Sequence, residues 1–207
     1  MPAIEDQNVT IEEFFEHLRS YLDEKQIALV KKAYEFAAKK HADQKRRSGE
    51  PYIIHPTQVA YILAQMKMDE ETLAAAFLHD VVEDTDITLD DIRSRFGDRV
   101  AKLVDTESDR PGRVEDWLAR KEDSLKRLSA ASREEKIVAL GDKLSNMRAI
   151  ARDYTTEGES FWERFHVKDK SVHAWRYHAL LDALSSLADT YAWHEFKFLV
   201  NRVFPVE

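Results

Sequence analysis

Apolar residues recur along this chain at three- and four-residue steps, the repeat that gathers side chains on one face of a helix. Thr10, with Glu13 three positions on, forms a capping box, and Phe14, Phe15, Leu18, Tyr21 and Leu22 make the stripe behind it. Residues 25–41 predict a second helix, with Ile27, Val30, Ala33, Tyr34, Ala37 and Ala38 on its stripe. A third carries Val59, Ala60, Ile62 and Leu63. Its entry at His55-Pro56 predicts proline at the first helical position and His55 at the N-cap, in the extended backbone that a following proline favours. A fourth helix is expected over 70–83. Its stretch Ala74 to Leu78 is apolar on every side, as in a helix buried at the centre of a protein.

Short helices are expected over 88–96 and, after Gly97, over 98–104. Apolar residues vanish from 105 to 113, which predicts an exposed loop. Helical stripes resume over 114–128, over 136–151 behind the Ser132/Glu135 capping box, and over 171–187 and 191–204. With 5 glycines and 5 prolines in 207 residues there is little to interrupt helix, and the expected class is all-α. No linker or repeat divides the chain, so one compact bundle of about 9–11 helices over residues 1–207 is expected.

Composition narrows the function. A net charge of -8 argues against a general nucleic-acid or anionic-membrane binder. The absence of cysteine removes disulfides, thiolate metal sites and thiol nucleophiles, and fits a reducing cytoplasm. No apolar run approaches the ~18–20 residues of a membrane span, and residues 1–6 have neither the basic nor the apolar part of a signal peptide. A soluble cytoplasmic protein is expected.

The exceptional residues are polar ones in apolar settings. His79, Asp80, Glu83 and Asp84 are set into the central helix, with no Lys or Arg within a turn of Asp80. A buried carboxylate without a partner is unfavourable by several kcal/mol, roughly, unless it pairs, protonates or binds a cation. Asp142 and Asn146 interrupt the apolar face of 136–151, where the alternative is a polar core pair. His55 follows the basic segment Lys45-Arg46-Arg47, where the alternative is a solvated loop with a surface histidine. Two imidazoles and two carboxylates suit a divalent transition ion such as Mn, Fe or Zn. One constraint stands out: neighbours on a helix point about 100° apart, so His79 and Asp80 could share an ion only in a distorted arrangement. Glu83 and Asp84 lie one turn beyond that doublet, which suits a base or water-orienting group. Lys39, Lys40, Lys45, Arg46 and Arg47 make a locally basic rim. His17, His41, His166, His173, His178 and His194 have no acidic partner nearby in sequence and read as structural or exposed.

Four segments together carry a resemblance. They are Arg46-Arg47-Ser48-Gly49-Glu50-Pro51-Tyr52-Ile53-Ile54-His55-Pro56, Phe77-Leu78-His79-Asp80-Val81-Val82-Glu83-Asp84-Thr85, Phe96-Gly97-Asp98-Arg99-Val100 and Gly141-Asp142-Lys143-Leu144-Ser145-Asn146. Over about residues 25–155 the chain resembles the HD superfamily of metal-dependent phosphohydrolases, and more narrowly the RelA/SpoT-type hydrolase domain and free-standing small alarmone hydrolases. The resemblance implies an HD-domain helical bundle, with helices at about 160–204 packed on the motif core. It implies one divalent ion, Mn2+ by preference with Fe2+ or Zn2+ as alternatives, on His55, His79, Asp80 and Asp142. It implies that Glu83 and Asp84 position or activate the attacking water. Arg46, Arg47, Ser48 and Asn146 match nucleotide contacts; Lys143 is a candidate for phosphate neutralisation, and Tyr177 for a further nucleotide contact.

The implied reaction removes the 3′-pyrophosphate of ppGpp or pppGpp, giving GDP or GTP and pyrophosphate. The partner expected is thus a small-molecule nucleotide, with no nucleic acid and no membrane. Thr106-Glu107-Ser108-Asp109 departs from the long bifunctional enzymes of the family, and their synthetase and regulatory domains are not expected. Two alternatives stand beside this reading: the same chemistry on a (d)NTP, a 3′-nucleotide or NADPH, and a catalytically silent nucleotide-binding module.

Overall fold

The computed structural model describes residues 9–46, 49–107 and 117–206. In chain order these form α1 (Ile11–Leu18), α2 (Glu24–Lys40), α3 (Ile54–Gln65), α4 (Glu70–Leu78), α5 (Val81–Asp84) and α6 (Leu89–Phe96). Next come α7 (Asp98–Glu107), α8 (Trp117–Ala130), α9 (Arg133–Glu157), α10 (Lys170–Ala183) and α11 (Tyr191–Val203). Short 3-10 segments span Gly158–Arg164 and Ser185–Leu187. No strand occurs among the described residues, so the all-α expectation holds. None of the described helices is long and apolar enough to cross a membrane.

The uniformly apolar stretch becomes the centre. Every residue of α4 from Thr72 to Leu78 is buried, and α2, α3, α7 and α9 pack around it. Phe77 meets Phe14 and Tyr34 edge-on, with centroids 5.4 and 5.5 Å apart, the arrangement that sets a ring's positive edge against its neighbour's negative face. The capping boxes at Thr10 and Ser132 form as expected, and Thr88 and Asp23 add two more. Arg99 reaches Asp69 and Glu71 at 2.6 Å each, tying the start of α7 to the start of α4. The C-terminal helices close one side: α11 lies on α9, joined by the two parallel 2.7 Å bonds of Arg148 to Glu195, and α10 lies on α8.

The structure corrects three local expectations. Residues 70–83 are not one helix: α4 stops at Leu78 and α5 restarts at Val81. At the break His79 Nδ1 bonds the Ala76 carbonyl at 2.8 Å, the acceptor that a continuing helix would offer to the Asp80 N–H. His55 is not an extended N-cap. Helix α3 begins two residues earlier than expected, at Ile54, and Pro56 sits within its first turn, where an absent N–H leaves no bond unmade. Residues 105–107 belong to α7 rather than to a loop; residues 108–116, which hold the rest of that expected loop and the expected start of the next helix, lie outside the described residues.

Helices α3 and α9, which carry His55 and Asp142, pack tightly at Gly141. A Cβ built on that glycine would lie 2.3 Å from Leu63 Cδ1 and 3.2 Å from Val59 Cγ1. Leu63 is fully buried, so yielding to that Cβ would mean repacking the core around it. Gly141→Ala is therefore expected to destabilise the fold by about 1–3 kcal/mol through overpacking, outweighing the ~1 kcal/mol helix-propensity gain of alanine. Urea unfolding of the two proteins checks this; an alanine variant at least as stable as the parent would contradict the packing.

Candidate metal centre and cleft

Four side chains converge where α3, the α4/α5 break and α9 meet. His55 Nε2 lies 3.0 Å from Asp142 Oδ1 and 3.6 Å from Asp80 Oδ2, while His79 Nε2 lies 3.1 Å from Asp80 Oδ2 and 3.7 Å from Asp142 Oδ1. Both imidazoles and Asp142 are buried, and Asp80 is nearly so. His79 and Asp80 both keep right-handed helical backbone angles, φ -58° and -88°, so it is their side chains that bring the ring and the carboxylate together. Donor atoms of His55, His79 and Asp80 all lie within 4.8 Å of one another, and this cluster could hold a metal ion. Asp142 stands just outside that group of three, with Oδ1 directed at the two imidazoles.

The donor chemistry fits a cation. A carbonyl oxygen only accepts, so the contact with Ala76 requires a proton on His79 Nδ1. In the neutral ring that leaves a lone pair on Nε2, which is buried and lacks a hydrogen-bond partner among the described residues. A lone pair 3.1 Å from a carboxylate oxygen is repulsive unless a positive charge lies between or upon them. The protonation preferences show the same field. Burial works against a charge on His79, yet Asp80 and Asp142 outweigh it and hold the imidazole well above its ordinary range. Burial depresses His55 instead. Burial would raise Asp80 and Asp142, but the imidazole of His79 keeps Asp80 low, and Lys143, His55 and His79 keep Asp142 low.

A set of polar groups stands behind the four. Tyr52 donates its hydroxyl to Asp80 Oδ2 at 2.8 Å and stacks on the buried His41. Burial and the carboxylates of Asp80 and Asp84 push its phenol well up, so it remains a donor. Lys143 Nζ lies 2.6 Å from Asp142 Oδ2, and Asn146 Nδ2 donates to Asp142 Oδ1 at 2.7 Å. Ser145, buried on the same face of α9, contacts His55 Nδ1 at 3.1 Å. Sequence reasoning gives Tyr52 and Ser145 no role. Tyr52 stands three residues before His55, one helical turn away, which is the signal that could have found it.

The cluster forms one end of a cleft of about 470 Å3. Arg46, Glu83, Lys143, Asn146 and Tyr177 line it, as the motif positions imply; Arg47 and Ser48 lie outside the described residues. Arg46 enters on a tight turn in which its N–H and carbonyl bond Glu50 and Gly49, with Gly49 at φ 91°, a conformation open to glycine. Asp84 is exposed and is not part of the cleft wall; its carboxylate bears on the Tyr52 hydroxyl instead. Tyr177 is buried and stacked on Phe204, with one side facing the cleft. The basic rim differs from the expected one: Lys40 is paired with Asp86 at 2.9 Å, and Lys39 and Lys40 do not line the cleft. Lys45 and Arg46 are joined there by Lys121, Arg152, Arg164 and Arg176, brought in by α8, α9, the 3-10 segment and α10.

A family model described as the HD domain matches residues 33–166. The chain is 42% identical over 144 residues to a guanosine-3′,5′-bis(diphosphate) 3′-pyrophosphohydrolase of Aquifex aeolicus, covering 69% of this chain and 20% of that one. It is 54% identical over 87 residues to the protein of the same name in Vibrio cholerae, covering 42% and 12%. The chain thus spans a fifth or less of the length of these curated relatives. Among solved structures it resembles a metazoan ortholog of SpoT described as hydrolysing ppGpp, with TM-score 0.66 and 27% identity, covering 86% of this chain and 94% of that one. A Listeria monocytogenes protein matches with TM-score 0.66 and 30% identity, covering 73% and 99%.

A ligand that binds only the folded state at 100 times its Kd stabilises it by about 2.7 kcal/mol. For a domain of this size that is a rise in Tm of about 5–10 °C. Mn2+ is expected to raise the Tm of the parent protein by this amount, EDTA to reverse the rise, and His79→Ala to abolish it. Differential scanning fluorimetry reads all three; equal shifts in parent and variant would place the ion elsewhere.

Proposed function

Because this chain belongs to the HD-domain family, we propose that it is a metal-dependent hydrolase that removes the 3′-pyrophosphate of ppGpp or pppGpp, giving GDP or GTP and pyrophosphate. The observation that carries the proposal is the convergence of two buried imidazoles and two carboxylates on the wall of a cation-rimmed cleft. The cleft volume falls within the ~300–1,000 Å3 of small-molecule sites. The substrate follows from the relatives: two are named as hydrolases of this nucleotide, and the metazoan one, described as hydrolysing ppGpp, is spanned almost whole by this chain.

His55, His79, Asp80 and Asp142 would hold the ion, for which Mn2+ is proposed ahead of Fe2+ or Zn2+. Such an ion, when bound, lowers the pKa of water from ~15.7 toward ~7 and neutralises charge on phosphoryl oxygens. Glu83, on α5 beside the ligands and on the cleft wall, takes the proton of the attacking water. Asp84 acts through Tyr52, whose hydroxyl holds Asp80 in place. Arg46 and Lys45 receive the phosphates near the reacting end, and Asn146 keeps Asp142 directed at the imidazoles while facing the nucleotide. Residues 1–207 act as one HD-type unit, with α8, the 3-10 segment and α10 supplying the far wall. A soluble nucleotide substrate fits an activity in the cytoplasm.

Purified protein with Mn2+ and ppGpp is expected to release pyrophosphate and leave GDP. Glu83→Gln should lower kcat by about 10²–10⁴-fold while Mn2+ still raises the melting temperature. No pyrophosphate release with any of Mn2+, Fe2+ or Zn2+ would overturn the proposal; release from a different nucleotide in a parallel panel would keep the chemistry and replace the substrate.

A further inference from the structure

We infer that Ser145, backed by Gln58, is the positioning residue that sets the metal affinity of His55. This rests on the proposed metal site and adds to it a residue outside the ligand set.

The two histidines are supported differently. His79 Nδ1 faces a backbone carbonyl, which accepts under all conditions and fixes the proton on that nitrogen. His55 Nδ1 faces a hydroxyl, Ser145 Oγ, at 3.1 Å. A hydroxyl can donate or accept, so by itself it leaves the ring free to carry its proton on either nitrogen. With the proton on Nε2 the ring would donate to Asp142 Oδ1, 3.0 Å away, and would be closed to a cation. Cation binding requires the opposite form, with Nε2 bare and Nδ1 protonated.

Gln58 supplies the bias. Ser145 Oγ donates to Gln58 Oε1 at 3.2 Å. A hydroxyl has one proton, and with that proton directed at the amide oxygen its lone pairs face His55. The serine is then an acceptor toward Nδ1–H, and the Nε2 lone pair is directed at Asp80 and Asp142. Ser145 and His55 are each buried to within a few per cent, so water cannot readily replace either partner. The chain Gln58, Ser145, His55 runs from the body of α3 to α9 and back to the first turn of α3.

Removing the hydroxyl strands Nδ1–H without an acceptor whenever a cation is bound, but leaves the metal-free ring free to bond Asp142. The loss should therefore appear in metal affinity and not in the stability of the metal-free fold. Ser145→Ala in the full chain is expected to weaken Mn2+ binding by about 10- to 100-fold, measured by calorimetry, with an unchanged melting temperature in EDTA. Ser145→Thr, which keeps the hydroxyl, should recover most of the affinity, and Gln58→Leu should show a smaller loss. In the Zn2+-loaded parent, NMR should find the His55 Nδ1–H slow to exchange, and fast to exchange in Ser145→Ala. Should threonine fail to pack in this buried position, the alanine affinity and the exchange measurement decide. Equal Mn2+ affinity in parent and Ser145→Ala, or a His55 Nδ1–H equally protected in both, would overturn the inference. A parent protein that binds no divalent ion would overturn this inference and the proposed metal site together. The expected order of affinities without ppGpp hydrolysis would leave this inference standing and remove only the substrate.

Discussion

The hydrogen bond between His79 Nδ1 and the Ala76 carbonyl is the contact on which the rest of the site depends. It fixes the protonated nitrogen of a buried ring and marks the point where α4 ends. The next side chain, Asp80, brings its carboxylate within 3.1 Å of that ring. On α5, Glu83 lines the cleft and Asp84 beside it does not.

Most of the fold is legible in the sequence because helices announce themselves twice, by apolar period and by caps. Thr10 and Ser132 mark their helix starts correctly, and the apolar run before His79 marks the centre of the protein. The break inside 70–83 is not legible, because no Gly or Pro marks it; a side chain taking a backbone acceptor leaves no trace in hydrophobic period. The expected place of His55 is wrong for a related reason: proline is tolerated anywhere in a first turn, so His55-Pro56 locates the helix start only to within a residue or two.

The candidate site divides the same way. Its four candidate ligands stand out because polar groups in apolar stretches are rare, and the sequence shows each of them. Their supporting partners do not stand out. Tyr52 and Ser145 are ordinary residues whose importance comes from what lies opposite them in space, from other helices. The basic far side of the cleft is hidden too, since Lys121, Arg164 and Arg176 are scattered over the C-terminal half and meet only when α8 and α10 close over α9.

Asp142 is a candidate ligand supported by the protein's own cation and amide. Both of its oxygens are engaged, one by Lys143 and one by Asn146. A carboxylate so held has its counter-charge from the moment α9 forms, and the bundle around it need not wait for an ion in order to pack. In small zinc domains, by contrast, ligand and fold arrive together, and chelation unfolds the chain. On the proposed metal site, loading would follow assembly, because Asp142 has its counter-charge from Lys143 before any ion arrives.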